Sequence, residues 1–376
     1  MSIRSFSKIQ KRFCSAILAS VLGLGLIVGT GLSADSTDAM NSRLVTYQEE
    51  GKTLFALSLL PTQEFEAQNS PHVAVVVDTS ASQNGDFRSD SIEIAQSIIS
   101  ALPSKSIVSL LACDVEATVL SSASAPTSRS LTEGFKKLDK RIPLGTTDLA
   151  AAFRAAVKEL GKQSDASIVY IGDGMHLCNL LNTTEFESFI NEMKETRTSI
   201  TSLAIGPKTD CELLSIIANH TGGKVFVRQA ITDATCQQIG SNLAKAALEP
   251  VFWPTKSSWP KGVAQYFPGQ FPPLRLDRDT ILVGNLKEER LGGSLQVDGV
   301  VDGRPSSMRW ELESEPSNPD FAFLAHVVAK AVSNAGLLMP TPGSEALQEL
   351  GMVLANSSDQ LVKDARFALN SGDLSA

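Results

Sequence analysis

Five apolar residues, Val73 to Val77, lead directly into Asp78-Thr-Ser80-Ala-Ser82. In an extended chain, side chains at alternate positions share a face, so this spacing aims one carboxylate and two hydroxyls the same way. Oxygens of that kind suit a hard divalent cation. Mg²⁺ keeps several waters and takes only one or two carboxylates, so a shell built largely of hydroxyls leaves room for a ligand from outside. Two later segments carry the same chemistry: Leu144-Gly145-Thr146-Thr147-Asp148 and Ile171-Gly172-Asp173-Gly174. Neither a CxxC pair, an HExxH helix, a GxSxG elbow nor a phosphate loop is present. A phosphatase with an aspartate nucleophile needs a second carboxylate two positions on. Here that position is Ser80, which cannot do the same acid–base work.

Convergence of these segments requires elements that end in one place. Short β-branched runs at His72–Val77, Ser106–Ala112, Ser167–Ile171, Ile200–Ile205 and Lys224–Val227 read as strands. Between them lie amphipathic stretches such as Ser91–Leu102 and Asp148–Leu160; in the second, Leu149, Ala152, Phe153, Ala156, Val157 and Leu160 share one face. This alternation predicts an α/β fold, doubly wound around a mainly parallel sheet with both faces covered. Val115–Leu120 reads as an antiparallel edge strand after a tight turn at Asp114. Ligands of such sheets bind beyond the carboxyl ends of the strands, where all three oxygen-bearing segments fall.

The three segments together resemble the von Willebrand factor type A domain and its metal-ion-dependent adhesion site. The resemblance spans about residues 70–245 and includes Leu214-x-x-Ile217-Ala218-x-x-Thr221-Gly222-Gly223 before the last strand. It implies a Rossmann-like fold in which Ser80, Ser82 and Thr146 ligate the metal directly, with Thr147 the adjacent alternative, and Asp78 and Asp173 act directly or through waters. It further implies Mg²⁺ or Mn²⁺ as cofactor and a protein partner whose exposed acidic residue completes the coordination, with binding rather than catalysis as the function. Two alternatives are a hydrolase using the same metal to activate water, for which His176 is the one candidate base, and an envelope- or secretion-associated scaffold with a vestigial site.

Around this core the chain divides into a signal peptide (1–34), a linker and β-hairpin (35–69), the α/β domain (70–248), a small β-rich unit (249–315) and a helical segment (316–376). Arg4, Lys8, Lys11 and Arg12 precede a nearly uncharged stretch and then small residues at Ser33 and Ala34, the order of an export signal, with a retained membrane anchor as the alternative. Cleavage would deepen the net charge from -8 to -12. Such an acidic chain is no general nucleic-acid binder, and no membrane span is expected in the mature part. From Pro250 to Pro273 proline, glycine and aromatic residues rule out a long helix. Trp253, Trp259, Tyr266 and Phe267 there are expected to pack the β unit against the main domain. Strands follow at Thr280–Leu286, Ser294–Val297 and Met308–Leu312. Helical spacing then runs from Phe321 to Val332, with further candidates at Ala346–Ala355 and Gln360–Leu369. Cys178 and Cys211 follow neighbouring predicted strands, which suggests a disulfide at the metal-bearing edge. Asn182, Asn219 and Asn356 open glycosylation sequons.

Overall fold

The structure is a computed structural model, and it describes residues 41–65, 70–161, 165–175, 183–231, 234–341 and 343–344. The predicted signal segment, His176, Cys178, Asn182, Asn356 and the helices beyond Ala346 lie outside the described residues.

A six-stranded sheet forms the centre of the α/β domain. Its strands are β3 (His72–Asp78), β4 (Ile107–Cys113), β5 (Ala117–Ser124), β6 (Ser167–Gly172), β7 (Ser199–Ala204) and β8 (Val225–Val227), in the order β5-β4-β3-β6-β7-β8. All neighbours are parallel except the edge pair β4–β5, which is antiparallel as the Asp114 turn predicts. Helices cover both faces: α1 (Asp86–Ala101), α2 (Arg129–Lys140), α3 (Leu149–Leu160), α4 (Thr183–Glu195), α5 (Cys211–Thr221) and α6 (Cys236–Leu248). Alternation along β3 explains the two layers. Ala74 and Val76 join the core under α3, α4 and α5, while Val73, Val75 and Val77 join the one under α1, α2 and α6. The doubly wound expectation therefore holds.

The order reverses between β3 and β6. From β3 the chain steps outward to β4 and β5, then returns to β6 on the other side. At this switch point the loops leaving two adjacent parallel strands diverge and open a crevice.

The hairpin of β1 (Ser42–Glu49) and β2 (Lys52–Leu59) is not a separate preface to the α/β domain. It pairs with β12 (Thr280–Leu286) and, beyond it, β10 (Val263–Phe267) in a four-stranded antiparallel sheet. A second sheet, in the order β11-β9-β13-β14, comprises β9 (Val251–Ser258), β11 (Leu274–Arg275), β13 (Gly292–Val301) and β14 (Arg304–Glu313). Phe55, Leu57 and Leu59 of the first sheet meet Phe252, Leu295, Val297, Met308 and Trp310 of the second, forming a sandwich core. Leu54 and Ala56 point the opposite way and are covered by α7 (Leu324–Ser333) through Leu324, Val328 and Ala331. The expected division into 35–69, 249–315 and 316–376 is corrected accordingly. The hairpin, the later strands and α7 form one β-sandwich unit, and the α/β domain is inserted between β2 and β9.

Two arginines join the units. Arg275 is fully buried; its guanidinium donates to Gly222 O at 3.0 Å and Ala246 O at 2.8 Å, and both Nε and Nη2 bond Asp277 at 2.7 and 2.8 Å. Arg278 donates to Gly223 O at 3.0 Å and Ala218 O at 3.4 Å. The Gly222, Gly223 and Ala246 carbonyls lie at the ends of α5 and α6, where helix carbonyls run out of intrahelical donors and the dipole favours a cation; Ala218 O also accepts the Gly222 and Gly223 N–H groups. Trp253 and Phe267 are buried, but Phe267 packs under α7, and Trp259, stacked on Tyr266 with centroids 4.5 Å apart, packs on the sandwich core, so the expectation that these aromatics pack the β unit against the α/β domain is corrected for all but Trp253. Among the described residues no helix is long and apolar enough to cross a membrane.

Candidate metal centre

Asp78 ends β3 and lies beside Gly172, the last residue of β6, across the switch point. A Cβ at Gly172 would overlap both the Tyr170 hydroxyl and the Asp78 Cβ, so glycine is what lets the two strand ends close up. Asp78 is 2% exposed and Asp173 1%. Asp78 Oδ1 accepts the Ser80 N–H at 2.8 Å, which turns the chain sharply after the strand. Its Oδ2 accepts hydroxyls from Thr147 at 2.9 Å and Tyr170 at 2.8 Å.

The serines continue the cluster. Ser80 and Ser82 hydroxyls lie 2.9 Å apart, and Ser82 donates to Asp173 Oδ2 at 2.5 Å. Asp173 Oδ1 accepts the Met175 N–H at 2.8 Å. Asp78, Ser80, Ser82 and Asp173 thus meet as the sequence predicts, but the threonine on Asp78 is Thr147. Thr147 is buried while Thr146 is half-buried one residue earlier. The reason is local. Gly145 takes a left-handed φ of 74° and accepts the Ala81 N–H, and Asp148 caps α3 by accepting the Ala151 N–H at 3.0 Å. Between these fixed points Thr147 is the inward residue.

Tyr170 was not a sequence candidate. It lies inside a run read simply as an apolar strand, two residues before the strand's end and on the Asp78 face; a hydroxyl within such a run is the signal that marks it. Its hydroxyl also accepts the Gly174 N–H at 3.2 Å, so one side chain ties both aspartate-bearing loops together.

Electrostatically the site holds unspent negative charge. Burial raises the Asp78 carboxyl above its ordinary value, and the Asp173 charge adds to this, against the hydrogen bonds from Ser80 and Tyr170. Burial and the nearby carboxylates likewise push the Tyr170 phenol and the Cys113 thiol well up, which leaves the thiol inert. Among the described residues no cationic side chain pairs with Asp78 or Asp173; the nearest ion pair, Arg141 on Asp114 at 2.8 Å, bonds Thr79 rather than the site. Two buried carboxylates and three hydroxyls form the donor set of a hard cation with outside ligands. No group of three or more His, Cys, Asp or Glu side chains that could hold a metal ion occurs among the described residues, so the donors here are two carboxylates plus hydroxyls.

Two further expectations are corrected here. Cys211 is a free thiol, its Sγ 3.3 Å from Thr209 Oγ1, so the Cys178–Cys211 disulfide is not formed. Asn219 is fully buried in α5, with its amide directed at Met339 O and Thr341, so its sequon is closed to a glycan.

Residues 72–226 match the family model of the von Willebrand factor type A domain. The match covers β3 through most of β8, and the doubly wound sheet is the fold of that family. Similar solved structures include a von Willebrand factor type A protein from Catenulispora acidiphila (10% identity, TM-score 0.47, covering 72% of this chain and 70% of that one). The ArnB paralog VWA2 from Sulfolobus acidocaldarius is 13% identical with a TM-score of 0.46, covering 83% of this chain and 97% of that one. An aerotolerance-related membrane protein from Bacteroides fragilis is 12% identical with a TM-score of 0.39, covering 47% and 98%. No curated protein matches the chain.

Proposed function

We propose that this chain is an exported, metal-dependent protein-binding module and not an enzyme. The observation that carries the reading is the pair of buried carboxylates, Asp78 and Asp173, set at the switch point among hydroxyls with no cationic partner among the described residues. Burying such charge without compensation is costly, and a divalent cation supplies the compensation. Ser80, Ser82 and Thr147 would hold Mg²⁺ or Mn²⁺ directly, with Asp78 and Asp173 acting directly or through water. The bound cation would offer a Lewis-acidic point to a carboxylate on the partner. The match to a family of protein-interaction domains supports this, and the order of charged, apolar and small residues at the N-terminus supports export. Because the chain carries -8 overall, its general field repels an acidic partner and binding depends on the metal.

Calorimetric titration with Mg²⁺ and Mn²⁺ tests the reading. Saturable binding is expected for the natural chain and none for Asp78→Ala or Ser80→Ala, whose circular dichroism stays native. In a pull-down from the source extract, partners should be released by EDTA. Capture that ignores the chelator, or that both variants retain, overturns the proposal.

A further inference from the structure

Thr79 stands between Asp78 and Ser80 and is fully buried. Its hydroxyl donates to Asp114 Oδ2, in the β4–β5 turn, at 3.0 Å. Arg141, directly after α2, brings its Nε–H to the same place, 3.1 Å from Thr79 Oγ1 and 3.0 Å from Asp114 Oδ2, and its Nη2 donates to that carboxylate oxygen at 2.8 Å. One oxygen of Asp114 therefore gathers a hydroxyl and a guanidinium from two other loops. Exposed ion pairs contribute little, but these side chains are only 26% and 13% exposed and share a buried hydroxyl.

Asp114 also holds both ends of the segment that carries Thr147. Arg141 opens that segment and bonds the Asp114 side chain; Asp148, the cap of α3, closes it and donates its N–H to Asp114 O at 3.0 Å. Between them Leu144 donates its N–H to Thr79 O at 3.1 Å, and Gly145 O accepts the Ala81 N–H at 3.0 Å. Residues 141–148 are thus pinned at both ends to the β4–β5 turn and in the middle to the loop that bears Ser80 and Ser82. The segment belongs to no helix or strand, so contacts of this kind decide which of its side chains turns inward.

We propose that Asp114 and Arg141 are positioning residues of the candidate centre, which together set residues 141–148 in the register that turns Thr147 toward Asp78. This rests on the metal-dependent reading above and adds to the centre two residues that act through Thr79 and the loop rather than as ligands. Charge alone makes the opposite prediction for one of them. A guanidinium close to the centre repels a divalent cation, so its removal tightens metal binding if only charge matters and weakens it if the loop loses its register.

Calorimetric titration of the whole chain with Mn²⁺ separates the two effects. Arg141→Met and Asp114→Asn are each expected to bind Mn²⁺ about tenfold more weakly than the natural chain, the scale of one lost hydroxyl contact to Asp78. Because the pair acts through Thr147, adding Arg141→Met to Thr147→Val should weaken binding by no more than about threefold beyond Thr147→Val alone, whereas independent effects would multiply. Circular dichroism verifies the fold of each variant. Should Arg141→Met not fold, Arg141→Lys keeps the cation, loses the planar fork and carries the same comparison. Binding by either single variant that is unchanged or tighter, or a weakening that multiplies with that of Thr147→Val, overturns this proposal and leaves the metal-dependent reading standing. Absence of Mn²⁺ binding by the natural chain overturns both.

Discussion

Thr147 reaches Asp78 with a 2.9 Å hydroxyl bond, whereas its neighbour Thr146 stays half-buried, so the two adjacent threonines are not interchangeable. Replacing Thr147 by valine keeps the shape, removes the hydroxyl and leaves a buried carboxylate with one donor fewer, at a cost of about 1–3 kcal/mol. We expect Thr147→Val to weaken Mn²⁺ binding at least about tenfold and Thr146→Val to change it about threefold or less, on the same free-energy scale. Calorimetry on the two variants decides it; the reverse ranking would return the site to Thr146. The spacing of Asp78, Ser80 and Ser82 was legible because strand alternation alone aligns them. The threonine was not, because which of two neighbours turns inward depends on Gly145's left-handed φ and on Asp148's cap, and both are settled by the folded loop. Tyr170 was hidden for a related reason: its ring belongs to the core and only its hydroxyl to the site.

At the scale of elements, α5 ties the α/β domain to the segment following α7. His220 is buried near the end of α5, with Nε2 2.9 Å from Leu337 O and Nδ1 without a hydrogen-bond partner. Burial first, and the nearby Lys194 charge second, lower this imidazole from 6.5 to about 4. The unfolded chain therefore takes up a proton at His220 below 6.5, while the folded chain resists until about 4. Stability from this group is fully present above 6.5 and is lost as pH falls through that window, by about 3 kcal/mol. Asp78 acts in the opposite sense, since its raised value makes the folded, metal-free chain gain stability as pH falls toward the ordinary carboxylate value of 3.8. The comparison with His220→Gln separates them, because Asp78 contributes equally to both chains. Urea midpoints measured from pH 7 to pH 4 should fall less steeply for the variant, and parallel curves would show that His220 is not held neutral. In the sequence His220 stands alone, outside the oxygen-bearing segments. What it faces comes from a segment more than a hundred residues later, which no local pattern specifies.

At the scale of the molecule, the α/β domain was legible from end to end because its strands and helices alternate in sequence and neighbours in sequence are mostly neighbours in space. The sandwich was not. The strand β2 pairs with β12 across the whole inserted domain, Leu57 opposite Leu282, and period-2 alternation identifies strands without naming their partners. Insertion also creates two chain crossings between the units, and Arg275 sits at their junction, reading carbonyls from both α5 and α6. Burial works against the Asp277 carboxylate, but the hydrogen bond and charge of Arg275 hold it below its ordinary value, so the guanidinium is neutralised where it is buried. Arg275→Met keeps most of the volume and strands the Gly222 and Ala246 carbonyls. Each buried acceptor left unpaired costs about 1–3 kcal/mol, and the loss falls on the contact between units rather than on either core. We therefore expect the natural chain to melt in one calorimetric transition and Arg275→Met to melt in two, the lower one shifted down by several degrees. Because the candidate metal centre lies at the opposite, carboxyl ends of the strands, the proposed function predicts that Mn²⁺ still raises the transition of the α/β domain in this variant. A single transition shifted as a whole would mean that the two units remain one cooperative body without the arginine.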